Sequence, residues 1–304
     1  MRSRFFSLIL AGWMTGGLCL CAGDARAATV RVQIDVGGQK RSALLIEYQR
    51  LKRTPRTVII VLRSGGARAQ NLSADRRGIG LVPVVRNAGA MVVYPDAIDG
   101  RWSLGDGPVD DVGFIRALSS KLISDGIADP RRVFLVGVSS GGILAMKVAC
   151  QGADSIAGVA ALISTMPSQI AASCKLAKPT AFLLMNGTAD PVAPYNGGVA
   201  RLNGTTIEVV SSEATLAPFL AQANCGKERI TQEIPDRDPN DGSRVTLERF
   251  AGCTSIVELV RINGGGHTLP GRPVREDRGI PVGAQNNDVS TPRVVWDFIR
   301  RVAR

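Results

Sequence analysis

The segment RVFLVGVSSGGILAMKVAC, residues 132–150, constrains the fold more than any other part of the chain. Its first part, Val133–Val136, is a short apolar run of β-branched and aromatic residues, which is typical of a buried central strand. After a glycine- and serine-rich turn, apolar residues return at helical spacing from Ile143 to Val148. The segment therefore predicts a strand, a sharp turn and a helix, as in an α/β fold with a mostly parallel sheet and helices on both faces.

The turn carries the pattern G-x-S-x-G, with Ser139 between Gly137 and Gly141. A serine at the top of such a turn has a strained backbone, and the residues on either side crowd each other, which favours glycine at both places. The helix that follows directs backbone N–H groups at the serine oxygen. Chance matches to this pattern are common, but the strand and the helix give it the setting of a catalytic nucleophile. The N–H of Ser140 is then one half of an oxyanion hole.

Two further candidate catalytic residues follow predicted strands. Asp190 lies in NGTADP, directly after the apolar run TAFLLM of residues 180–185. His267, the only histidine of the chain, follows three glycines after a predicted strand at residues 255–262. The order Ser, Asp, His is the one that α/β-hydrolases use. We therefore predict a triad in which Ser139 is the nucleophile, Asp190 the acid and His267 the base.

Two loops supply the remaining candidates. The run TVIIVL of residues 57–62 predicts a buried parallel strand, and the loop after it contains Gly65, our candidate for the second oxyanion donor; a tight surface turn is the alternative. Trp102 lies in the loop of residues 97–108, after a predicted strand at residues 90–94. A tryptophan in such a loop either lines a pocket or packs beneath the loop. We take it as a candidate substrate-pocket residue, and the sequence leaves both alternatives open.

The rest of the chain completes the α/β pattern. Asp110 and Asp111 precede an apolar helical run, and we expect them to cap that helix rather than to act as an acid–base pair. The other predicted elements are an antiparallel hairpin at residues 29–36 and 42–50, a strand at 156–163, a helix at 212–224, a surface hairpin within 226–254, a polar loop at 272–290 and a closing helix at 294–302.

The first 27 residues resemble a signal peptide. Arg2 and Arg4 form a basic start, an apolar stretch follows, and Ala25-Arg26-Ala27 is a small-residue cleavage site. Glycines interrupt the apolar stretch, which argues against a permanent membrane anchor. We expect a secreted or periplasmic protein in which residues 28–304 form one α/β-hydrolase catalytic domain.

The charge of the chain does not indicate a nucleic-acid partner. Loss of the first 27 residues removes three arginines and one aspartate, which lowers the net charge from +11 to +9. The basic residues are spread along the chain and do not cluster as a nucleic-acid interface requires. A solvated basic surface is the expectation, and the oligomeric state stays open.

Four cysteines remain after cleavage, at positions 150, 174, 225 and 253. An even number in an exported chain predicts two disulfides, for which three connectivities exist. We favour the neighbours, Cys150 with Cys174 and Cys225 with Cys253. With one histidine and no C-x-x-C pair, we expect no metal site, and the predicted chemistry requires no cofactor.

Taken together, the motifs resemble one family. GVSSGG, NGTADPVAPYNGG, GGGHTLPG, the YPD before Trp102 and DDVGF at residues 110–114 occur in this order in the secreted polyhydroxybutyrate-depolymerase-like esterases, which include feruloyl and acetylxylan esterases. The resemblance covers roughly residues 45 to 303. It implies an α/β-hydrolase fold, the triad named above, the neighbouring disulfides, and a small ester or a polysaccharide- or polyester-derived substrate.

The chain departs from this family at three places. Arg63-Ser64 stands where the family usually has a His-Gly pair, Leu269 where a tryptophan is common, and Phe219 where another tryptophan is common. The change at Leu269 removes an aromatic wall, which bears on feruloyl and polymer substrates.

We therefore predict a secreted serine esterase that acts on short-chain hydroxyalkanoate, acetylated or feruloylated carbohydrate esters. Two alternatives remain. The departure at Arg63-Ser64 favours a non-catalytic exported binding protein on a hydrolase scaffold. A peptidase of the same fold is the other alternative.

Overall fold

The computed structural model describes residues 27–48, 55–64, 78–105, 107–202, 204–273 and 281–304. Except for Ala27, the predicted signal peptide lies outside these residues. None of the helices in these ranges is long and apolar enough to cross a bilayer.

One ten-stranded sheet forms the centre of the described chain, in the order β1-β2-β4-β3-β5-β6-β7-β12-β11-β10. The six strands from β4 to β12 in this order pair in parallel, and two antiparallel strands flank them on each side. The expected mostly parallel sheet is therefore confirmed. The strands of this sheet are β1 Ala27–Val36, β2 Gln39–Tyr48, β3 Arg56–Leu62, β4 Met91–Pro95, β5 Ala128–Val138, β6 Gly158–Leu162, β7 Ala181–Gly187, β10 Arg229–Glu233, β11 Arg244–Phe250 and β12 Val257–Asn263.

Helices cover both faces of the sheet. The α-helices are α1 Leu81–Val85, α2 Asp111–Ser124, α3 Ser140–Cys150, α4 Ser168–Ser173, α5 Ser212–Gln222 and α6 Thr291–Val302. Apolar residues of α2, α3 and α5 pack on one face, and those of α1 and α6 pack on the other. Successive side chains of β3 alternate between these two cores, with Ile60 in the first and Ile59 in the second. Burial on both faces is the reason why the central strands are continuous apolar runs in the sequence.

Three regions differ from the sequence expectation. Strands β8 Gly198–Leu202 and β9 Thr205–Val209 form a separate antiparallel hairpin that the sequence analysis did not anticipate. The predicted surface hairpin within residues 226–254 is present as β10 and β11, but β11 also pairs with β12, so the hairpin extends the main sheet. Residues 81–85, which the sequence left without an assignment, form the short helix α1.

The two acids before α2 have different roles. Asp110 caps the helix, since its carboxylate accepts a hydrogen bond from the Gly113 N–H at 2.7 Å. Asp111 is buried and forms an ion pair with the equally buried Arg41, with Asp111 Oδ1 2.5 Å from Arg41 Nη2. The capping expectation is therefore confirmed for Asp110 and wrong for Asp111, because a tertiary contact uses the second carboxylate.

Both disulfides have the favoured pairing. Cys150, the last residue of α3, is bonded to Cys174, which directly follows α4. Cys225, which follows α5, is bonded to Cys253, which precedes β12. Each bond closes a loop of similar length, with sequence separations of 24 and 28 residues. Such loops restrict the unfolded chain and stabilise the fold.

Candidate active site

Ser139 lies at the tip of the turn between β5 and α3. Its φ and ψ of 52° and −121° lie in a region that residues other than glycine rarely adopt. Two backbone hydrogen bonds hold this conformation: the Ser139 N–H donates to Leu162 O at 2.9 Å, and its carbonyl accepts from the Gly142 N–H at 2.8 Å. The neighbouring strand β6 and the first turn of α3 thus fix the position of the hydroxyl.

The glycines on either side of Ser139 are required by close backbone contacts. A Cβ atom on Gly137 would lie 2.2 Å from Gly141 O. A Cβ atom on Gly141 would lie 2.1 Å from Leu62 O, at the end of β3. Both distances are well inside van der Waals contact, and backbone atoms cannot move away as a flexible side chain can. The elbow therefore packs directly against the end of the neighbouring strand.

The structure brings the three predicted triad residues together. His267 Nε2 lies 3.0 Å from Ser139 Oγ, and His267 Nδ1 lies 2.7 Å from Asp190 Oδ2. All three follow the carboxyl ends of parallel strands: β5 precedes Ser139, β7 precedes Asp190 and β12 precedes His267. The His267 side chain retains 12% of its exposure, whereas that of Asp190 retains 1%. The site therefore opens to solvent on the imidazole side.

The carboxylate of Asp190 is oriented by its own turn. Its Oδ1 accepts hydrogen bonds from the backbone N–H groups of Val192 and Ala193, each at 2.8 Å. Its Oδ2 remains for the imidazole. The turn is also tied to the histidine loop, because Thr188 Oγ1 accepts from the Gly264 N–H at 2.8 Å. Both partners of the imidazole–carboxylate contact are thus held by backbone structure before a substrate arrives.

The structure describes only one of the two predicted oxyanion donors. Ser140 is the first residue of α3 and is buried directly after the nucleophile, as the sequence implied. Gly65 lies outside the described residues, so its role stays a prediction. The chain two residues before it is held in place, since the Arg63 carbonyl accepts a hydrogen bond from Trp102 Nε1 at 2.6 Å.

Trp102 packs beneath its loop. It is only 7% exposed, belongs to the core between the sheet and α2, and does not line the recess beside Ser139. The loop that carries it is anchored by Asp111, whose Oδ2 accepts from the Ser103 N–H at 2.6 Å and whose other oxygen pairs with Arg41. The hydrogen bond to Ser103 holds the loop that carries Trp102, and Trp102 in turn donates to the carbonyl of Arg63. The buried Arg41–Asp111 ion pair is thereby connected to the chain that leads to the predicted oxyanion loop.

A narrow recess lies beside the nucleophile, and it is too tight to admit a water molecule. It is lined by Ser139, Ile143, Ile163, Ser164, Thr165, Ala193, Ala200, Leu202 and Val209. Three of these residues come from the unanticipated β8–β9 hairpin. The sequence held a signal for that hairpin, because Asn203-Gly204 between two apolar alternating runs is a common hairpin turn. The recess itself could not be read from the sequence, since its walls come from four separate segments.

The arrangement can carry out nucleophilic chemistry. A serine hydroxyl within hydrogen-bond reach of an imidazole, which is in turn oriented by a carboxylate, can transfer its proton as the oxygen attacks an electrophile. The N-terminal end of α3 places backbone N–H groups and a partial positive charge where negative charge would develop. Within the ranges that the structure describes, no group of three or more His, Cys, Asp or Glu residues is placed to hold a metal ion.

The chain is similar to known hydrolases. A family model described as phospholipase/carboxylesterase matches residues 112–219, which include Ser139 and Asp190. The chain is 28% identical over 293 residues to NocK of Nocardia uniformis subsp. tsuyamanensis, a protein inferred to be an esterase; the match covers 90% of this chain and 83% of that one. It is 30% identical over 192 residues to feruloyl esterase B of Piromyces equi, covering 60% of this chain but only 34% of that enzyme.

Two solved structures share the fold. One is a dienelactone hydrolase-like promiscuous phosphotriesterase from metagenomic libraries, with a TM-score of 0.55, 14% identity and coverage of 91% of this chain and 98% of that one. The other is an acetyl xylan esterase from Aspergillus awamori, with a TM-score of 0.55, 13% identity and coverage of 79% of this chain and 94% of that one. At these identities the likeness establishes the α/β-hydrolase fold and nothing more specific.

Proposed function

We propose that the chain is an esterase of the α/β-hydrolase superfamily and that it hydrolyses carboxylic esters through Ser139, His267 and Asp190, in keeping with its similarity to a phospholipase/carboxylesterase family model and to esterases. The observation that carries this proposal is the continuous hydrogen-bonded path from Ser139 Oγ through the imidazole to the buried Asp190 carboxylate, with distances of 3.0 and 2.7 Å. Both distances lie within the reach that proton transfer requires.

In the acylation step, Ser139 Oγ attacks the ester carbonyl carbon while His267 Nε2 takes the hydroxyl proton. The carbonyl oxygen becomes negatively charged, and the N–H groups of Ser140 and Gly65 are proposed to stabilise it. The carbon–oxygen bond to the alcohol then breaks, and the alcohol leaves with the proton from His267. Asp190 keeps the imidazole oriented and stabilises its charged form.

In the deacylation step, a water molecule attacks in the way that Ser139 did in acylation. His267 takes a proton from the water, the hydroxide oxygen attacks the acyl carbon, and the carboxylic acid leaves as Ser139 regains its proton. The net reaction consumes one ester and one water and forms one acid and one alcohol. The side chains and backbone groups of the site are sufficient for every proton transfer.

The substrate classes proposed for this site are esters of short-chain hydroxyalkanoates and acetylated or feruloylated carbohydrates. The feruloyl option is supported by relatives with that name, including feruloyl esterase D of Neurospora crassa, which is 26% identical over 224 residues. That match covers 73% of this chain and 65% of the relative. The polyester option is supported by the motif resemblance alone, so the choice between them is left to experiment.

We further propose that the chain acts outside the cytoplasm, as one catalytic domain after removal of its first 27 residues. The two disulfides support this location, because such bonds persist in oxidising compartments and are rare where thiols are kept reduced. Mass spectrometry of the protein recovered from culture medium or periplasm is expected to find a mature chain that begins at Ala28.

The test of the catalytic proposal is hydrolysis of p-nitrophenyl acetate and butyrate by the wild type, Ser139→Ala and Ser173→Ala. Ser173 is an exposed serine on α4 and serves as the matched control. We expect full activity in the control and loss of about 10⁴-fold or more in Ser139→Ala. Equal rates in all three proteins would reject the proposal in favour of a non-catalytic binding protein. A parallel panel of p-nitroanilide amides separates the esterase from a peptidase.

A further inference from the structure

We propose that Trp102 is a positioning residue for the esterase reaction. Its indole N–H fixes the peptide between Arg63 and Ser64 beside the nucleophile elbow, and the buried Arg41–Asp111 ion pair holds the loop that carries the tryptophan. The inference rests on the proposed function and adds to it a residue that acts through the backbone, without contact with the substrate.

The Arg63 carbonyl lies against the turn that carries the nucleophile. Leu62, the last residue of β3, pairs with Gly137 of β5, so the chain leaves β3 level with the start of this turn. A Cβ atom on Gly141 would lie 2.7 Å from Arg63 O as well as 2.1 Å from Leu62 O. Because Gly141 comes two residues after Ser139, a shift at the end of β3 would be passed directly to the nucleophile.

The indole hydrogen bond determines how the peptide after β3 is oriented. Trp102 is only 7% exposed, and its Nε1 donates to Arg63 O at 2.6 Å. In a trans peptide the carbonyl and the N–H point in opposite directions, so the bond that fixes the carbonyl also fixes the direction of the Ser64 N–H. This peptide begins the loop in which we predict the second oxyanion donor.

A buried ion pair holds the loop that carries Trp102. Asp111 Oδ2 accepts from the Ser103 N–H at 2.6 Å, and Asp111 Oδ1 lies 2.5 Å from Arg41 Nη2. The side chains of Asp111 and Arg41 retain 0% and 2% of their exposure. The same guanidinium nitrogen donates to the Asp96 carbonyl at 3.2 Å, where the loop begins. Buried ion pairs often stabilise a fold no more than apolar side chains would, and their best attested use is to fix one arrangement.

The elbow helix holds the same loop on the other side of the tryptophan. Lys147 on α3 donates from Nζ to the carbonyls of Leu104 and Gly105, at 3.2 and 3.0 Å. The helix that begins directly after Ser139 therefore also supports the loop of Trp102. The tryptophan and the nucleophile thus share one support, so their relative position is fixed before a substrate arrives.

Loss of the indole bond should act on the transition state. Oxyanion donors work because they are in place before the charge develops, and a displacement of about 1 Å can cost about 10²-fold in rate. Without the N–H of Trp102, the peptide beside the elbow would no longer be held in one orientation. An effect of this kind lowers kcat and leaves substrate binding largely unchanged.

The test removes the indole N–H in two ways. Trp102→Phe removes the donor and keeps an aromatic ring. A second protein carries 3-benzothienylalanine at position 102, in which sulfur replaces the N–H group and the size of the ring system is kept, so that the core stays filled. Trp296→Phe is the matched control, because Trp296 lies on α6 and packs, partly buried, against the core on the opposite face of the sheet.

Three quantities are measured for each protein: kcat and KM for p-nitrophenyl butyrate, the inhibition constant of 1,1,1-trifluoro-2-butanone, and the midpoint of thermal unfolding. With this ketone, Ser139 Oγ bonds to the carbonyl carbon, the serine proton passes to His267 Nε2, and the ketone oxygen becomes an oxyanion. The inhibition constant therefore reports on oxyanion stabilisation with no leaving group involved.

We expect both changes at position 102 to lower kcat by about fivefold or more, with KM within about threefold of the wild type. The inhibition constant should rise by about the factor by which kcat/KM falls, and Trp296→Phe should leave all three kinetic quantities unchanged. A smaller loss of kcat in the benzothienyl protein, a change confined to KM or to the unfolding midpoint, or an equal loss in the control overturns the inference. In each of these cases Ser139-dependent hydrolysis by the wild type still upholds the esterase, whereas its absence overturns the proposed function and the inference together.

Discussion

The parallel centre of the sheet and its antiparallel flanks are built in different ways. The central strands β6 and β7 are buried along their whole length, whereas the edge strand β10 is exposed along its whole length. Each residue of the proposed triad follows a central strand: Ser139 follows β5, Asp190 follows β7 and His267 follows β12. Chemistry is therefore carried by strand ends whose positions are set by apolar packing on both faces.

The flank formed by β10 and β11 joins the central strand β12 through buried charges. Glu248 on β11 and Glu258 on the adjoining strand β12 are both buried, and each contacts two arginines. Glu258 Oε1 lies 2.9 Å from Arg249 Nε, and its Oε2 lies 2.5 Å from Arg301 Nη2 on α6. Arg229 bonds to Glu213 and Glu248, and these bonds, led by the one to Glu213, raise its pKa. We therefore expect substitutions in the central strands and their loops to lower activity or stability. Substitutions in the flank should lower stability only.

The largest expected effect is that of Asp190→Asn at the centre. The amide can still accept from the Val192 and Ala193 N–H groups, but its NH₂ group would face His267 Nδ1 and favour the wrong tautomer. We expect kcat to fall about 10⁴-fold while the midpoint of thermal unfolding changes little. Asp125→Asn, at an exposed residue after α2, is the matched control. A loss of less than about tenfold in Asp190→Asn would contradict the assigned role.

The next effect, Gly141→Ala, tests whether the centre tolerates a single added carbon. The new Cβ would lie 2.1 Å from Leu62 O, so the elbow or the end of β3 must move. We expect the free energy of unfolding in urea to fall by about 2 to 4 kcal/mol. Gly105→Ala is the control, because a Cβ there meets no atom within 4 Å. Equal stability of the two variants would show that the elbow is less tightly packed than the contacts indicate.

Where the flank meets the central strand β12, Glu258→Gln should separate stability from activity. The amide loses the charge of a buried group that contacts Arg249 and Arg301, although both arginines are partly exposed and can regain water. We expect the free energy of unfolding to fall by about 1 to 3 kcal/mol. The value of kcat/KM at a temperature where the variant is folded should stay within about threefold of the wild type. A large loss of activity without loss of stability would remove the distinction between centre and flank.

The smallest effect is expected from Asp288→Asn, where the histidine loop meets the β10–β11 connection. Burial acts to raise the pKa of Asp288, but hydrogen bonds from the Arg237 N–H, the Asn286 amide and the Asp238 N–H outweigh it and leave the pKa lowered. A lowered pKa stabilises the folded protein above the ordinary aspartate value of about 3.9, and this contribution is lost as the pH falls through the folded pKa.

Unfolding curves at pH 7 and at pH 3 measure this contribution. We expect Asp288→Asn to lower the free energy of unfolding by about 1 kcal/mol at pH 7 and by less at pH 3. A cost that is the same at both pH values would show that the carboxylate charge makes no contribution.

Local patterns in the sequence were sufficient to predict the parallel centre of the sheet. The runs that became β3, β4, β6 and β7 are continuous and apolar, and glycine, proline or aspartate residues follow each of them within a few positions. Because parallel strands end at the same edge, the order of Ser139, Asp190 and His267 was enough to predict that these residues meet. The favoured disulfides also agreed with the structure, since each joins cysteines that are neighbours in the chain.

Features that depend on contacts between distant residues could not be predicted from the sequence. Asp111 looked like a helix cap, but its partner Arg41 lies 70 residues away, and no local pattern connects the two. On sequence grounds Trp102 could line a pocket or pack under its loop, and its burial and its hydrogen bond to the Arg63 carbonyl depend on contacts that no local pattern shows. Burial and hydrogen-bond pairing are properties of the folded chain, so a sequence alone does not show them.

Covalent labelling with a fluorophosphonate tests most directly whether Ser139 is a nucleophile activated by His267. Peptide mass spectrometry of the wild type and His267→Ala then locates the label. The reagent reacts with a serine only when a neighbouring base activates it. We expect one label per wild-type chain, on Ser139, and labelling that is slower by several orders of magnitude in His267→Ala. A label on another residue, or equally fast labelling of Ser139 in both proteins, would contradict it.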